Sequence, residues 1–202
     1  NYMNARAAPT PVVDYEGVYA FFETGDLVAV DLQGKLLWAR DVSKSTGKFD
    51  NSHGVGASLA QNATHLFLNL EHGGPSFLTA IEKRTGKSSW TVDRESSKSW
   101  SSPIVAEVNG VEQLIVSSGG SVTGYDASNG DVSWSLDGLE GNSVPSPTLA
   151  GNLLLIGARL PEFAGDGDVR SNCCLDLSRI ENGQPHIAWR ADKAICEYAS
   201  PV

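Results

Sequence analysis

The chain has 202 residues, of which 41% are hydrophobic and 19% are charged, which is enough apolar material for one domain with a sizeable core. Its 15 Lys and Arg residues stand against 24 Asp and Glu residues, a net charge of -9. An acidic surface repels phosphate, so composition argues against nucleic acid and anionic membranes as partners. No apolar run reaches the roughly 20 residues of a membrane span, so we predict no transmembrane segment.

The beginning of the chain reads as four short strands, which we predict at 10–15, 18–22, 27–31 and 36–41. The run 18–22 is wholly apolar, as expected for a strand buried on both faces. Turn residues separate the strands, and Gly34 supplies the positive φ that a tight hairpin needs. No stretch has an apolar period of 3.6 residues, so we expect a helix content near zero.

This pattern recurs along the chain and is marked by tryptophan. The four marking residues, which follow one another after 52, 44 and 55 positions, are Trp38, Trp90, Trp134 and Trp189. Glycine lies four residues before the first three, at Gly34, Gly86 and Gly130, and six residues before the fourth, at Gly183. An acidic residue precedes the turn, as at Asp31 and Asp126. The period suits a propeller blade of four strands, whereas a β-sandwich would give this spacing only by chance.

A second sequence motif, two residues long, precedes each copy of the tryptophan pattern. Its five occurrences are Thr10-Pro11, Ala57-Ser58, Ser102-Pro103, Ser146-Pro147 and Ser200-Pro201. We interpret these as starts of innermost strands, where proline's missing N–H costs least. The blades are therefore predicted at 10–45, 55–95, 101–140 and 146–193, within one domain over 1–202, and 199–202 would begin a further blade.

We expect each tryptophan to pack one blade against the next, because a large ring buries much area and its N–H needs an acceptor. A small residue lies two positions before the acidic residue in each of the first three copies, at Ala29, Ala80 and Gly124. Closely stacked sheets leave little room at such a position.

With its Ala-x-Asp strand, Thr85-Gly86-Lys87 turn and tryptophan strand, the sequence resembles the pyrroloquinoline-quinone-type propeller repeat over nearly its whole length. Ser52-His53-Gly54, Gly74-Pro75-Ser76-Phe77-Leu78 and Tyr125-Asp126 resemble the exported bacterial family related to the outer-membrane assembly lipoprotein BamB. The resemblance implies an all-β propeller of four-stranded antiparallel blades, with about four of seven or eight blades present here. It also implies a periplasmic, cell-surface or secreted location. The missing blades would come from the rest of a parent chain or from another chain, although the first residues, Asn1–Asn4, carry no sign of a signal peptide.

The cysteines are few. Cys173, Cys174 and Cys196 form no zinc spacing and no disulfide framework. Quinone-dependent alcohol dehydrogenases, which share the repeat, carry a disulfide between adjacent cysteines against their cofactor. Cys173 and Cys174 are adjacent but fall inside a predicted strand, where neighbours point to opposite faces. We therefore favour two packed thiols over a disulfide.

Four further features are weighed as sites. Asp166 and Asp168 have the spaced oxygens of a weak cation site, but we favour a solvated loop over 164–172. His53 and His72 fall near blade ends, where propellers bind ligands, and are interpreted as polar turn residues or as ligand contacts at the rim. Trp100 lies outside the repeated tryptophan position and either packs between blades or stacks on a ligand.

These observations favour a non-catalytic binding or scaffold module of the bacterial envelope, which holds a protein partner or a small ligand on its propeller loops. No catalytic, cofactor-binding or firm metal residue is assigned. The alternatives are a fragment of a quinone-dependent dehydrogenase, which would bring pyrroloquinoline quinone and calcium, and a carbohydrate-binding or carbohydrate-processing propeller.

Overall fold

A computed structural model describes residues 8–51, 53–159, 171–191, 193 and 195–202. Within them the chain forms four antiparallel sheets, each of four strands in sequence order, and one helix of four residues. The near absence of helix is confirmed. The chain divides into two compact units, Asn1–Lys98 and Ser99–Val202, and each unit contains two sheets.

The first unit contains the first two sheets. The first sheet comprises β1 (Val12–Val13), β2 (Val18–Phe21), β3 (Asp26–Val30) and β4 (Leu36–Asp41), and the helix α1 (Ser43–Thr46) follows it. The second sheet comprises β5 (Ala60–Gln61), β6 (His65–Leu70), β7 (Ser76–Glu82) and β8 (Ser88–Arg94).

The second unit repeats this arrangement. The third sheet comprises β9 (Ile104–Val108), β10 (Val111–Ser118), β11 (Ser121–Asp126) and β12 (Val132–Asp137). The fourth comprises β13 (Thr148–Ala150), β14 (Leu153–Ile156), β15 (Cys173–Glu181) and β16 (Gln184–Arg190).

The first repeat differs from the prediction in the bounds of three strands and in the burial of one. The second strand ends at Phe21 instead of residue 22, and the third is Asp26–Val30 instead of 27–31. The innermost strand is shorter than 10–15, because only Val12 and Val13 pair with β2. The second strand is not buried equally on both faces: Tyr19 and Phe21 are buried, whereas Val18 and Ala20 are only partly covered. The fourth strand has the predicted bounds.

The register explains the small residues. Ala29, Ala80, Gly124 and Cys174 each lie directly opposite the tryptophan of their own sheet, and a β-bulge follows each of them. A bulge re-aims the side chains beyond it. The same pairing and bulge therefore recur in all four sheets, with the tryptophan at one fixed position on the outermost strand.

A hydrogen bond between innermost strands explains the second sequence mark. The backbone N–H of Thr10 donates to Ser58 Oγ at 2.9 Å, that of Ser102 to Ser146 Oγ at 2.9 Å, and that of Ser146 to Ser200 Oγ at 3.1 Å. Proline at the next position removes a donor, so the preceding residue supplies the amide N–H there. Each hydroxyl thus ties one innermost strand to the next.

Each unit is held by one hydrophobic cluster between its two sheets. In the first unit, Tyr19, Phe21 and Leu27 pack with Leu66 and Leu68. In the second unit, residues of β10, β11 and β12 pack with residues of β14 and β15. Since one four-stranded sheet alone cannot cover its own apolar face, the pair of sheets is the smallest unit with a core.

Candidate functional site: a polar groove between the first two sheets

An open groove lies between the outer strand of the first sheet and the face of the second. Its volume is about 480 Å³, and its charged residues are Arg40 and Asp93. Five residues supply hydroxyl groups to its lining, namely Thr46, Ser76, Thr79, Ser88 and Thr91. Pro75 and Phe77 complete the lining. Seven of the nine lining residues are therefore of polar type, although carbon atoms supply much of the exposed surface, and the groove carries one charge of each sign.

Strand alternation places these side chains. Phe77 and Thr79 lie on one face of β7, opposite Asp93 and Thr91 of β8. Thr79 and Phe77 are buried and form the floor, whereas Thr91 and Asp93 are exposed at the rim. Because side chains two apart on a strand share a face, both rows point toward the first sheet.

Arg40 closes one end of the groove. It lies two residues after Trp38 on β4, and its Nη1 atom donates to Ser88 Oγ at 2.8 Å and to the Gly86 carbonyl at 3.3 Å. Guanidinium has five N–H donors, so these two bonds leave donors for a further acceptor.

Asp93 is the open acceptor of the groove. Its carboxylate makes no hydrogen bond or ion pair within the part of the chain that is described, and it is exposed. Thr79, by contrast, is fully engaged: its Oγ1 lies 2.8 Å from the Trp90 carbonyl and 2.9 Å from Thr91 Oγ1. The floor is thus fixed by hydrogen bonds, one of which engages Thr91 at the rim, whereas the Asp93 carboxylate is available.

A buried polar cluster lies at the end of β6, beside Ser76. His72 is fully buried, and its Nδ1 accepts the backbone N–H groups of Asp50 at 3.1 Å and Gly74 at 3.0 Å. This requires the tautomer with hydrogen on Nε2, an atom that has no partner among the described residues. Burial lowers the pKa of His72, although its backbone hydrogen bonding and Asp50 act in the opposite direction.

The same loop contains a buried ion pair. Glu71 and Arg94 are joined by a 2.5 Å contact between Oε1 and Nε, with side-chain exposures of 1% and 11%. Ser76, which pairs with Arg94 across β7 and β8, binds the backbone of His72 through its hydroxyl. The loop 71–75 is therefore anchored to β7 through Ser76 and to β8 through Arg94.

Lys83 joins the first two sheets at the other end of β8. Its ammonium lies 2.6 Å from Asp14 Oδ2 and 2.6 Å from the Asn62 carbonyl, and its side chain is 3% exposed. Burial alone would raise the pKa of Asp14, but hydrogen bonds from Lys83 and from the backbone of Glu16 and Gly17 outweigh it and lower that pKa. Sequence reasoning missed this residue.

The repeated tryptophans occupy equivalent register positions but different surroundings. Trp38 donates from Nε1 to the Lys83 carbonyl in the next sheet at 2.7 Å, and its ring covers Gly86. Trp134 is 1% exposed and donates to Gln113 Oε1 of its own sheet at 2.7 Å. Trp90 stacks near Phe67 with ring centroids 6.0 Å apart, and Trp189 is 50% exposed.

The turn residues lie in the hairpins that the sequence repeat predicts. Gly34, Gly86 and Gly130 have φ of 82°, 71° and 82°. Asp31 Oδ1 accepts the backbone N–H groups of Gln33 and Lys35, and Asp126 Oδ1 accepts both the N–H and the hydroxyl of Ser128. These bonds from Ser128 lower the pKa of Asp126.

The candidate rim residues do not form one site. His72 must be corrected from a rim contact to an internal residue, because its ring is fully buried. His53 is exposed, and its N–H bonds Asn51 Oδ1 at 3.2 Å. Trp100 is half-buried, and its backbone N–H bonds the Ser143 carbonyl at 2.8 Å.

Asp166 and Asp168 lie outside the described residues. The expected solvated loop over 164–172 is wrong at its end, since Ser171 and Asn172 are buried. Asn172 Oδ1 accepts the backbone N–H groups of Ala158 and Cys196, so its side chain links two segments that are distant in the sequence. Among the described residues, no three His, Cys, Asp or Glu side chains form a metal-binding group.

Cys173 and Cys174 are free, buried thiols on β15. Burial raises the pKa of Cys173 to about 11 and also raises the pKa of Cys174. Adjacent strand residues face opposite sides, and Cys174 occupies the position opposite a tryptophan. The pair does not fit the adjacent disulfide that the resemblance to quinone enzymes would imply.

The groove residues Arg40, Thr79 and Asp93 were also missed in the sequence. One signal was available: the residue two after the tryptophan is Arg40 in the first repeat but Leu136 in the third. A charge at a position that another copy fills with leucine indicates a less apolar contact between sheets.

These sheets define a β-propeller protein built from pyrroloquinoline-quinone-type repeats. The chain belongs to the family described as outer membrane protein assembly factor BamB, whose sequence model matches residues 54–159, just over half of the chain. Comparison with curated proteins finds no match. No helix among the described residues is long and apolar enough to cross a membrane.

Solved structures share the fold at low sequence identity. BamB from Moraxella catarrhalis superposes with a TM-score of 0.64 at 18% identity, over 91% of this chain and 48% of that one. The quinohemoprotein alcohol dehydrogenase from Comamonas testosteroni superposes with a TM-score of 0.68 at 17% identity, over 94% of this chain and 35% of that one. The chain thus spans less than half the length of either structure.

Proposed function

We propose that the chain is part of a non-catalytic recognition module of the bacterial envelope, which holds a protein partner on the loops of a larger propeller. The observation that carries this proposal is membership of the BamB family over residues 54–159. The name of that family ties it to the outer membrane and to assembly of proteins there. The family supports an association with the envelope, and a periplasmic location is the finer form of the proposal.

The rigidity of the scaffold supports a recognition role. Hydroxyl bonds between innermost strands, the Lys83 contacts and a hydrophobic cluster hold the sheets of the first unit together. Loops on a rigid scaffold can present side chains without losing much conformational freedom on binding. The net charge of -9 favours a partner with a basic or neutral docking face.

The main alternative, part of a quinone-dependent dehydrogenase, has weaker support. The alcohol dehydrogenase from Comamonas testosteroni shares the fold, which many activities can share. Cys173 and Cys174 lie on opposite faces of a strand and do not provide the paired sulfurs expected against a quinone. No step through a quinone is therefore derived for this chain.

Affinity purification tests the proposal. The parent protein, tagged and expressed in its own host, should fractionate with the envelope and should recover an outer-membrane protein after crosslinking. Recovery should fall as salt rises if acidic residues guide the contact. Addition of pyrroloquinoline quinone and calcium, followed by a dye-reduction assay with alcohols and aldoses, is the opposing experiment. Turnover there, without an envelope partner, would reject the binding role.

A further inference from the structure

We propose that the groove between the first two sheets binds an uncharged saccharide. This goes beyond the proposed protein-recognition role and does not depend on it. The groove has a volume of about 480 Å³, within the 300–1,000 Å³ typical of small-molecule sites. Buried side chains form its floor and exposed ones its rim, so a ligand can enter without unfolding either sheet.

The lining chemistry selects a polyhydroxyl ligand. Sugar hydroxyl groups both donate and accept hydrogen bonds, and the groove offers a donor in Arg40 and an acceptor in Asp93. The hydroxyls of Thr46 and Thr91 already bind Val42 and Thr79, and each keeps a lone pair that can accept a further hydrogen bond. Arg40 keeps donors beyond those bound by Gly86 and Ser88. The carboxylate of Asp93 makes no hydrogen bond or ion pair with any described residue, so its acceptor sites are open.

Charge argues for a neutral ligand. Arg40 and Asp93 cancel within the groove, and the chain as a whole carries -9. A phosphorylated or acidic saccharide would meet that repulsion without a second cation in the groove to compensate. The apolar surface of Pro75 and Phe77 suits the C–H face of a sugar ring.

A protein segment fits the groove less well. Protein partners usually anchor through an aromatic or apolar side chain in a well-packed pocket. Here Pro75 is exposed and Phe77 is 8% exposed, while every other lining residue is polar. We therefore take the saccharide as the occupant and make peptide binding an outcome of the test.

In the second unit, apolar side chains occupy the positions that correspond to the groove residues Arg40 and Thr79. There the residue two after the tryptophan is Leu136, and the residue before the small position is Cys173. Both belong to the hydrophobic cluster of that unit. In the first unit the corresponding residues are Arg40 and Thr79, which line the groove. The polar opening is thus a departure from an apolar arrangement that the repeat readily adopts.

The test uses the chain as it is, with maltotriose, cellotriose and N,N′-diacetylchitobiose as neutral probes and digalacturonate as the acidic probe. Saturation-transfer NMR and calorimetry should detect at least one neutral probe at millimolar concentration. Asp93→Asn should weaken its binding about tenfold, as expected for losing one charged acceptor. Glu107→Gln, at an exposed carboxylate on β9, is the matched control and should leave binding unchanged.

A second variant keeps the test decisive. Arg40→Leu combined with Thr79→Cys gives two groove positions the residues found at the corresponding positions of the second unit, removes the only cation among the described residues of the groove and should abolish saccharide binding. Thermal melts and circular dichroism check that the variant folds, and Asp93→Asn serves if it does not. Failure of every neutral probe to bind, unchanged binding in Asp93→Asn, or binding of a Ser-Gly peptide instead of the saccharides would each overturn the proposal.

Discussion

The two units pack their two sheets together through different contacts at the outermost strand. At the outer strand of the first sheet, side chains make the contact with the next sheet: Trp38 reaches the Lys83 carbonyl and Arg40 reaches Ser88. In the second unit, the backbone N–H of Ser135 donates to the Gly183 carbonyl at 3.0 Å, which joins strand β12 to the hairpin of β15 and β16. We call these the first interface, between the first and second sheets, and the second interface, between the third and fourth.

The difference follows from hairpin length and from one residue. Glycine and tryptophan are six residues apart in the fourth copy instead of four, and β15 runs for nine residues before the turn at Asn182 and Gly183. The longer hairpin reaches β12. With Leu136 beside it the second interface is apolar, whereas Arg40 keeps the first interface polar and open. The repeats therefore share the same four-stranded sheet but differ in the residues through which neighbouring sheets make contact.

The largest expected effect is at the tryptophan of the second interface. Trp134→Ala should lower the free energy of unfolding of the second unit by about 4 kcal/mol, because it removes a fully buried ring and leaves Gln113 without its donor. Urea titration with peptide-resolved hydrogen exchange measures the change in that unit. Trp189→Ala is the control: its ring is 50% exposed, so about 1 kcal/mol or less is expected. Equal losses would contradict the packing described.

The ion pair of the first interface comes next. Asp14→Asn should destabilise the first unit by about 3 kcal/mol, because the Lys83 ammonium is left buried without a compensating negative charge. Guanidinium titration compares it with Asp131→Asn, at an exposed carboxylate in a hairpin of the other unit.

The same pair predicts acid sensitivity. The folded-state pKa of Asp14 lies below its unfolded value, so its contribution is present above the unfolded pKa of about 3.9 and is lost as pH falls through the folded pKa. Acid titration of the Asp14→Asn variant should lack this loss below pH 4. An unchanged acid profile would show that Lys83 does not stabilise the ionised carboxylate.

Substitution of two glycines, only one of which lies against Trp38, tests the contact of that ring with the second sheet. Gly34 and Gly86 have similar positive φ, of 82° and 71°, but an added Cβ at Gly34 meets open space whereas at Gly86 it comes within 2.8 Å of the Trp38 ring. Gly34→Ala should cost about 1 kcal/mol from backbone strain. Gly86→Ala should cost about 2–3 kcal/mol, since crowding is added. Thermal melts of the two variants give the difference, and equal costs would remove Trp38 from the first interface.

The smallest expected effect is a pH dependence of the first unit near neutrality. Because the pKa of buried His72 is lowered, the unfolded chain takes up a proton first as pH falls below about 6.5, and stability decreases until the folded pKa is reached. Above pH 6.5 His72 has no effect. The slope cannot exceed about 1.4 kcal/mol per pH unit for one proton. Urea titrations at several pH values should show this slope, and His72→Gln should remove it.

Much of the fold could be predicted because its strands and turns depend on interactions between residues that are close together in the sequence. Each positive-φ glycine of the first three hairpins, and each acidic residue that bonds the turn, acts within a few positions of its own place in the sequence. Each of these motifs alone is weak evidence for a fold, but their recurrence along the chain predicts a repeated sheet. The structure contains that repeat, since the same pairing of a small residue with tryptophan occurs in every sheet. The Ser-Pro marks were found, but their hydrogen bond to the next sheet was not foreseen.

The candidate site could not be predicted in the same way. Arg40 and Asp93 are 53 positions apart and meet only because two sheets pack side by side. His72 was expected at the rim, yet it is buried, because its ring replaces missing backbone partners for Asp50 and Gly74. Hydrogen bonds between loops that are far apart in the sequence produce no repeating sequence pattern from which they could be predicted.

What the sequence alone determined is the blade: its four strands, its hairpin glycines and the position of its tryptophan, all of which depend on neighbours along the chain. Only the tertiary structure decided what each tryptophan touches, which carboxylates are open and where a polar groove remains. Those outcomes depend on residues that are distant in the sequence and are brought together only when two sheets pack, as Arg40 and Asp93 are in the groove.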